Sequence, residues 1–138
     1  MTIPTPAAEL HERLDLQVLE ADAHRVVGVM PVEGNRQPAG LLHGGATAAM
    51  VEGLASIGAW CAAQPDRQPV GVDLNVTHLA AVRSGTVTGV ATAVRIGTGS
   101  AVYTVVVTDE HDHTVALGRM TLRLLPRRDG LSPSSCAR

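Results

Sequence analysis

The stretch from Gly44 to Ala63 constrains the fold most, because it is the one long segment of this sequence that favours a helix. Only scattered glycines interrupt its helix formers, and Pro65 ends it. Its side chains are small and apolar on almost every face, so the helix has to be covered on nearly all sides. A single curved antiparallel sheet would cover it. The sequence therefore predicts an α+β fold in which one long central helix is wrapped by a curved antiparallel β-sheet.

The segments on either side of this helix favour a short helix and several strands. The short helix is predicted at about residues 7–14, and LQVLEADAHRVVGVMPV then predicts two strands around an Ala-Asp-Ala turn. After the long helix, four β-branched runs separated by turn signals predict an antiparallel meander. These runs are VGVDLNVTHLA, GTVTGVATAVRI, SAVYTVVVTDE and HTVALGRMTLRLL. We expect one domain over residues 1–125 and a disordered, Pro- and Ser-rich tail over residues 126–138.

Composition excludes several classes of function. A net charge of −2, a pI near 6.3 and eleven scattered arginines provide no basic surface for nucleic acid. The two cysteines make neither a disulfide framework nor a metal-ligand cluster. The N-terminal residues lack a basic region followed by an apolar core, and no apolar run approaches the length of a membrane span. We therefore expect a cytoplasmic protein that is neither exported nor membrane-bound.

The start of the long helix is the first candidate for chemistry. His43, Gly44 and Gly45 lie where the first backbone N–H groups have no partner within the helix and the macrodipole is positive. Glycine lets another group approach this backbone closely. Such a terminus suits an acyl carbonyl that gains negative charge in a transition state. The alternative is that the two glycines only permit tight packing of the helix start.

Glu52, in the middle of the same helix, is the second candidate. Its neighbours are mostly Ala, Met, Val and Leu, so we expect it to be partly desolvated and its pKa raised. Such a carboxylate serves as a nucleophile or as a general base. Ser56 lies four residues further on and shares a helix face with Glu52. Its hydroxyl either helps to hold a water or the carboxylate, or bonds back to the carbonyl of Glu52.

The spacing of these residues resembles one known pattern. A Gln six positions before His-Gly-Gly, a carboxylate nine positions after the His and a Ser four later are all present. The chain resembles the hotdog-fold acyl-CoA thioesterases, in particular the 4-hydroxybenzoyl-CoA, 1,4-dihydroxy-2-naphthoyl-CoA and phenylacetate-pathway types, over roughly Leu16 to Leu125. The resemblance implies that Gln37 and the Gly44 amide bind the thioester carbonyl. It also implies that His43 supports that end of the site, and that Glu52 attacks the acyl carbon or activates water.

Helix geometry adds a constraint on how this site is built. Gly44 and Glu52 are eight residues apart, so they are separated by about 12 Å along one helix. Both have to lie within roughly 3 to 4 Å of one thioester carbon. A two-fold axis that sets the start of one helix beside the middle of its copy would satisfy both distances. We therefore expect a homodimer with two shared active sites, and further a dimer of dimers.

The coenzyme would be bound by residues in two other stretches. The run LNVTHLAAVRSG resembles the family's path from the pocket wall to the nucleotide, and it contains Asn75, His78, Arg83 and Ser84. Arg83 is a candidate phosphate contact, the alternative being a solvated residue before a turn. His78 either contacts the ligand or hydrogen-bonds locally.

The second stretch, RIGTGSAVY, resembles a coenzyme-contacting turn. Relatives often carry a basic residue where this chain has Gly99. Either Arg95 compensates from the strand, or the backbone N–H groups of Thr98, Gly99 and Ser100 form the anion site.

Neither a cofactor nor a metal is expected. No phosphate loop of the nucleotide-hydrolase type is present. The other histidines show no ligand spacing with a carboxylate or thiol, these being His11, His24, His111 and His113.

The function expected is hydrolysis of an acyl-CoA thioester to the free acid and CoA. The acyl group should be apolar, aryl or medium-chain, because Val, Leu, Met and Trp60 have to line the pocket. An acyl carrier protein could replace CoA as the donor. Two other functions stay open: a non-catalytic acyl-CoA-binding protein that acts as a sensor or carrier, and a hydratase or dehydratase of the same fold.

Overall fold

The structure is a computed structural model, and it describes residues 8–128 and Cys136. It contains two helices and six strands in the order expected. They are α1 (Glu9–Leu14), β1 (Gln17–Ala21), β2 (Arg25–Pro31), α2 (Gly44–Ala63), β3 (Arg67–His78), β4 (Thr86–Ile96), β5 (Ser100–Thr108) and β6 (Thr114–Pro126). The predicted turn between β1 and β2 forms around Asp22, whose carboxylate accepts the backbone N–H groups of His24 at 2.7 Å and Arg25 at 2.8 Å. These two bonds lower the pKa of Asp22.

The six strands form one antiparallel sheet in the order β1-β2-β4-β5-β6-β3. The predicted four-strand meander was therefore wrong for β3, which pairs with β6 at the edge of the sheet and not with β4. Strand β2 takes the place beside β4 that the meander had assigned to β3. Alternation of apolar residues marks where strands are, but it does not say which strands are neighbours. The rest of the fold prediction, one long helix wrapped by an antiparallel sheet, is confirmed.

Helix α2 is the centre of the core. Met50, Val51 and Leu54 are completely buried between α2 and the sheet. Tyr103 of β5 packs its ring against Gly58 and donates its hydroxyl to the carbonyl of Ala23 at 2.6 Å. Burial raises the pKa of Tyr103 to about 12. The glycines of α2 therefore let large side chains of the sheet approach the helix backbone.

The length of α2 corrects one expectation. At 20 residues it is long and apolar enough to cross a membrane, so the statement that no apolar run approaches that length was wrong. Most of the helix is buried by the chain's own strands. Its composition therefore also fits a core helix, which needs the same apolar residues.

The chain after β6 returns across the end of α2. The backbone N–H of Arg127 donates to the carbonyl of Asp66 at 2.9 Å, and its guanidinium lies 5.4 Å from the centre of the Trp60 ring. Cys136 forms a disulfide with Cys61 in the last turn of α2, with 5.5 Å between their Cα atoms. The expectation that the cysteines build no disulfide framework missed this single bridge. Apart from residues 126–128 and Cys136, the predicted disordered tail lies outside the described residues.

Candidate active site

The start of α2 is fixed by His43. This residue is the N-cap of the helix, and its Nδ1 accepts the backbone N–H of Gly45 at 2.8 Å. Because Nδ1 is the acceptor, a neutral ring carries its proton on Nε2. The N–H of Gly44 makes no hydrogen bond with any other described residue. Two donors, the Gly44 N–H and the His43 Nε2–H, are thus available to a ligand at this helix end.

Gln37 lies beside this helix end in a tight turn. Its side-chain oxygen accepts the backbone N–H of Ala39 at 2.7 Å, and its backbone carbonyl accepts that of Gly40 at 2.9 Å. Gly40 has φ of +83°, a conformation that glycine adopts without strain. The bond to Ala39 leaves the side-chain NH₂ of Gln37 as a further donor.

Gln37 and Gly44 both line one cavity of about 430 Å³, the Gln37 pocket, whereas His43 is not among its lining residues. His78, the last residue of β3, lies over the helix start here. A Cβ built on Gly44 would be only 2.9 Å from His78 Nε2, so a larger residue here would have to displace the imidazole. The ring of His78 makes no hydrogen bond to other described residues, which argues against the local-bonding alternative. The structure therefore brings Gln37, Gly44 and His78 together.

The Glu52 pocket is a second cavity of about 410 Å³, between α1, α2 and β3. Its lining is mostly apolar and comprises Ala8, Leu10, His11, Ala49, Glu52, Gly53, Ser56, Ile57, Trp60 and Pro69. Gly71 of β3 leaves room for the carboxylate, since a Cβ built there would be 3.1 Å from Glu52 Oε1. The expected burial of Glu52 is wrong for the single chain, where this residue is exposed. Most of its apolar neighbours along α2, such as Met50, Val51 and Leu54, are buried in the core and do not line this cavity.

Ser56 lines the same cavity as Glu52. Its hydroxyl forms no hydrogen bond with a described residue, so the bond back to the Glu52 carbonyl is absent. Ser56 therefore offers a free hydroxyl one helical turn from the carboxylate.

The two pockets have no lining residue in common. One contains Gln37 and Gly44, and the other contains Glu52 and Ser56. Eight residues of α2 separate Gly44 from Glu52, a rise of about 12 Å. Within one chain the proposed carbonyl donors and the proposed carboxylate are thus held apart.

The candidate coenzyme-binding residues also fall into separate groups. Arg83 and Ser84 are exposed in the connection from β3 to β4, directly after Val82 of the Gln37 pocket. The Arg83 carbonyl accepts the side-chain Nε of Arg36 at 3.0 Å. Asn75 is exposed on β3, opposite Arg119 of β6, and lines neither pocket.

The turn of Thr98, Gly99 and Ser100 lies at the other end of the fold. It borders a cavity of about 230 Å³ beside the last residues of α2, so the length of this helix separates it from Arg83. Arg95 is exposed on β4 and does not line this cavity. Sequence reasoning missed Arg67, whose guanidinium donates to the carbonyl of Thr98. Relatives often carry a basic residue at the position of Gly99. In this chain the positive charge near the turn comes instead from Arg67 of β3.

Two further residues at the site were missed. Asn35 is buried and donates its side-chain NH₂ to the carbonyls of Leu14 at 2.8 Å and Pro31 at 2.9 Å, while its own carbonyl accepts the N–H of His43 at 2.8 Å. It thereby joins α1, β2 and the start of α2. His11 lines the Glu52 pocket from α1. The position of His11 depends on the contact of α1 with α2. The periodicity of the sequence does not reveal this contact.

No group of three or more His, Cys, Asp or Glu side chains that could hold a metal occurs among residues 8–128 and Cys136. The absence of a metal or cofactor from the reaction stays a prediction.

Similarity to known proteins defines the class. Residues 39–116 match the family model of the thioesterase superfamily. The chain is 46% identical over 117 residues to a candidate esterase of Deinococcus radiodurans, covering 84% of this chain and 74% of that protein. It is 32% identical over 120 residues to the 1,4-dihydroxy-2-naphthoyl-CoA hydrolase of Listeria monocytogenes, covering 86% and 98%. The crystal structure of a Haemophilus influenzae thioesterase superposes with a TM-score of 0.80 at 29% identity, covering 84% of this chain and 82% of that one.

The fold and these similarities define a hotdog-fold thioester hydrolase. The chain belongs to the thioesterase superfamily, and the family resemblance predicted from Gln37, His43, Gly44, Glu52 and Ser56 is confirmed.

Asn35 generates a prediction about how the site is held. Asn35→Ala removes two hydrogen bonds and leaves the carbonyls of Leu14 and Pro31 without these partners, so the free energy of unfolding should fall by about 1 to 3 kcal/mol. Urea denaturation measures this change. The matched control is Asn75→Ala, at an exposed position without side-chain bonds to described residues, which should shift stability by less than about 0.5 kcal/mol. Equal effects of the two substitutions would contradict the role of Asn35.

Proposed function

We propose that this protein hydrolyses acyl-CoA thioesters to the free acid and CoA at active sites shared between two copies of the chain. The observation that carries the proposal is the division of the site residues between two cavities. Gln37 and Gly44 offer hydrogen-bond donors in one cavity, and Glu52 and Ser56 offer a carboxylate and a hydroxyl in the other. Each cavity holds half of the groups that thioester hydrolysis requires, so a second chain has to supply the other half.

The edge of the sheet supports a dimer. Strand β3 lies at this edge and is 12 residues long. Its apolar side chains Val70, Val72 and Leu74 are 45%, 57% and 36% exposed. A long edge strand with exposed apolar residues is a template for pairing with another chain. Because β3 also borders the Glu52 pocket, pairing of two β3 edges would bring each such pocket towards the other chain. Association of two such dimers into a tetramer remains a proposal without a supporting contact.

The mechanism follows from the groups in each half-site. The thioester oxygen would accept hydrogen bonds from the Gly44 N–H and the Gln37 NH₂, which stabilise the charge that develops on it. The positive end of the α2 macrodipole and the His43 Nε2–H act in the same direction. Glu52 of the partner would take a proton from water while the oxygen of that water bonds to the acyl carbon. The carbon–sulfur bond then breaks, and the CoA thiolate receives a proton. Attack by the Glu52 carboxylate itself is the alternative first step.

The Glu52 pocket would hold the acyl group. Leu10, Ile57 and Trp60 give it apolar walls, which suit an aryl or medium-chain acyl group. The pantetheine arm would leave through the Gln37 pocket past His78 and towards Arg83 and Ser84. The turn of residues 98–100, with Arg95 and Arg67 nearby in the sheet, is a second candidate for the phosphates. An acyl carrier protein carries the same pantetheine arm and remains an alternative donor.

Assays with benzoyl, phenylacetyl, hexanoyl and crotonyl thioesters test the function directly. Release of free thiol supports hydrolysis. Loss of the crotonyl double bond without thiol release would favour a hydratase, and tight binding without either reaction would favour a sensor or carrier.

We also propose a cytoplasmic location, where acyl-CoA esters are made and used. Disulfides are rare in a reducing cytosol, so this location predicts that the Cys61–Cys136 bridge of the structure is reduced to two thiols in growing cells. Alkylation in intact cells followed by mass spectrometry measures this state. A bridge that is protected from alkylation in the cell would contradict the proposed location.

Replacing the carboxylate tests its role. Glu52→Gln should keep the fold and the affinity for CoA esters while turnover falls by about 10² to 10⁴, which is the range for losing a general base. Steady-state assays of free-thiol release measure turnover. The matched control is Glu33→Gln at an exposed position outside both pockets, which should leave turnover unchanged. Turnover of Glu52→Gln within a few-fold of wild type would remove Glu52 from the mechanism.

Mixing two inactive variants tests the shared site. A Gln37→Ala chain paired with a Glu52→Gln chain builds one site with both defects and one with neither, by two-fold symmetry. After full subunit exchange about half of the dimers are mixed, so activity should recover to about a quarter of wild type. Native mass spectrometry checks the exchange. If activity stays at the average of the two parents after complete exchange, the site is built within one chain.

A further inference from the structure

His11 occupies a position in the Glu52 pocket that none of the steps above uses. It is the residue of α1 whose ring packs directly on α2. A Cβ built on Gly53 would lie 2.9 Å from His11 Cε1, so α2 has a glycine where the imidazole rests. This contact places the ring beside the residue that follows Glu52 in the chain.

The imidazole of His11 is half-buried and has no hydrogen-bond partner among the described residues. Burial lowers the pKa of His11, so the ring is neutral at pH 7. Neither ring nitrogen is a fully buried atom, so both are accessible to water or to a ligand in the cavity.

The charges around His11 restrict what that ligand is. Among the described residues that line the cavity, Glu52 is the one carboxylate, and neither Lys nor Arg occurs. On α1, Glu9 and Glu12 are exposed, and Arg13 pairs with Glu9 at 3.9 Å, on a part of the helix outside the cavity lining. Within residues 8–128 no cation therefore lines the cavity to pair with an anionic acyl group, and Glu52 would repel one.

We infer that His11 selects the acyl group, and that it favours an acyl group bearing a neutral hydroxyl over its unsubstituted or carboxylate-bearing counterpart. A neutral imidazole has one N–H donor and one nitrogen acceptor, and a hydroxyl has both functions as well. The rest of the pocket is apolar and provides contact area without discriminating the substituent. The inference rests on the proposed function, because it takes the Glu52 pocket to be the acyl pocket.

Matched pairs of substrates test the inference. The pairs are 4-hydroxybenzoyl-CoA with benzoyl-CoA, and 3-hydroxyhexanoyl-CoA with hexanoyl-CoA, with succinyl-CoA as the anionic probe. The wild type should show a higher kcat/KM for the hydroxylated member of at least one pair and the lowest value for succinyl-CoA. His11→Leu should reduce the hydroxyl preference by about 3- to 10-fold, which is the effect of losing one neutral hydrogen bond. His11→Gln keeps a donor and an acceptor and should retain part of the preference.

Leu10→Ala is the matched control from the same helix and the same cavity. It removes contact area without removing a hydrogen-bonding group, so both members of a pair should lose kcat/KM alike. Thermal unfolding of each variant checks that the fold is kept. An unchanged preference in His11→Leu, or a preference of the wild type for succinyl-CoA, would overturn the inference.

A binding measurement separates this inference from the proposed function. If the wild type releases no thiol from any ester, the proposed function fails. Calorimetry with the thioether analogues of the same pairs then decides the role of His11 by itself. A hydroxyl preference in affinity that His11→Leu loses supports the inference, and equal affinities for both members of each pair overturn it.

Discussion

The burial of α2 is the constraint on which the rest of the structure depends. A helix with apolar side chains on almost every face is stable in water only if other parts of the chain cover it, and here the curved sheet does so. The close fit requires glycines in the helix, such as Gly58 under the ring of Tyr103. The sheet leaves the ends and one stripe of this helix accessible, and the two candidate pockets border these parts. The Gln37 pocket lies at its start and the Glu52 pocket along the stripe.

The same arrangement is the reason for proposing that the active site is shared between two chains. The backbone N–H groups that are free for a ligand occur only at the start of a helix, whereas Glu52 lies two turns further along. A straight helix holds these groups apart whatever its sequence is. Strand β3, left at the edge of the sheet with exposed Val70, Val72 and Leu74, offers the surface on which a second copy could bring them together.

Small contacts between distant segments tune the site. Asn35 joins α1, β2 and the helix start through three hydrogen bonds, and His11 reaches the Glu52 pocket because Gly53 leaves room for its ring. Arg67 approaches Thr98 across strands that are far apart in the chain. Such residues shape the cavities around α2 without altering the helix itself.

The sequence by itself determined the elements and the family. Apolar periodicity located α2 and the strands, and the spacing of Gln37, His43, Gly44, Glu52 and Ser56 identified the family and the candidate site residues, because these signals are local. Only the tertiary structure decided that β3 lies beside β6, that Glu52 is exposed in the single chain, and that Cys61 meets Cys136. It also decided that His11 enters the Glu52 pocket. Strand order, side-chain exposure and contacts between distant residues depend on which segments pack together. Burial of the whole core decides this packing, and no short run of residues does.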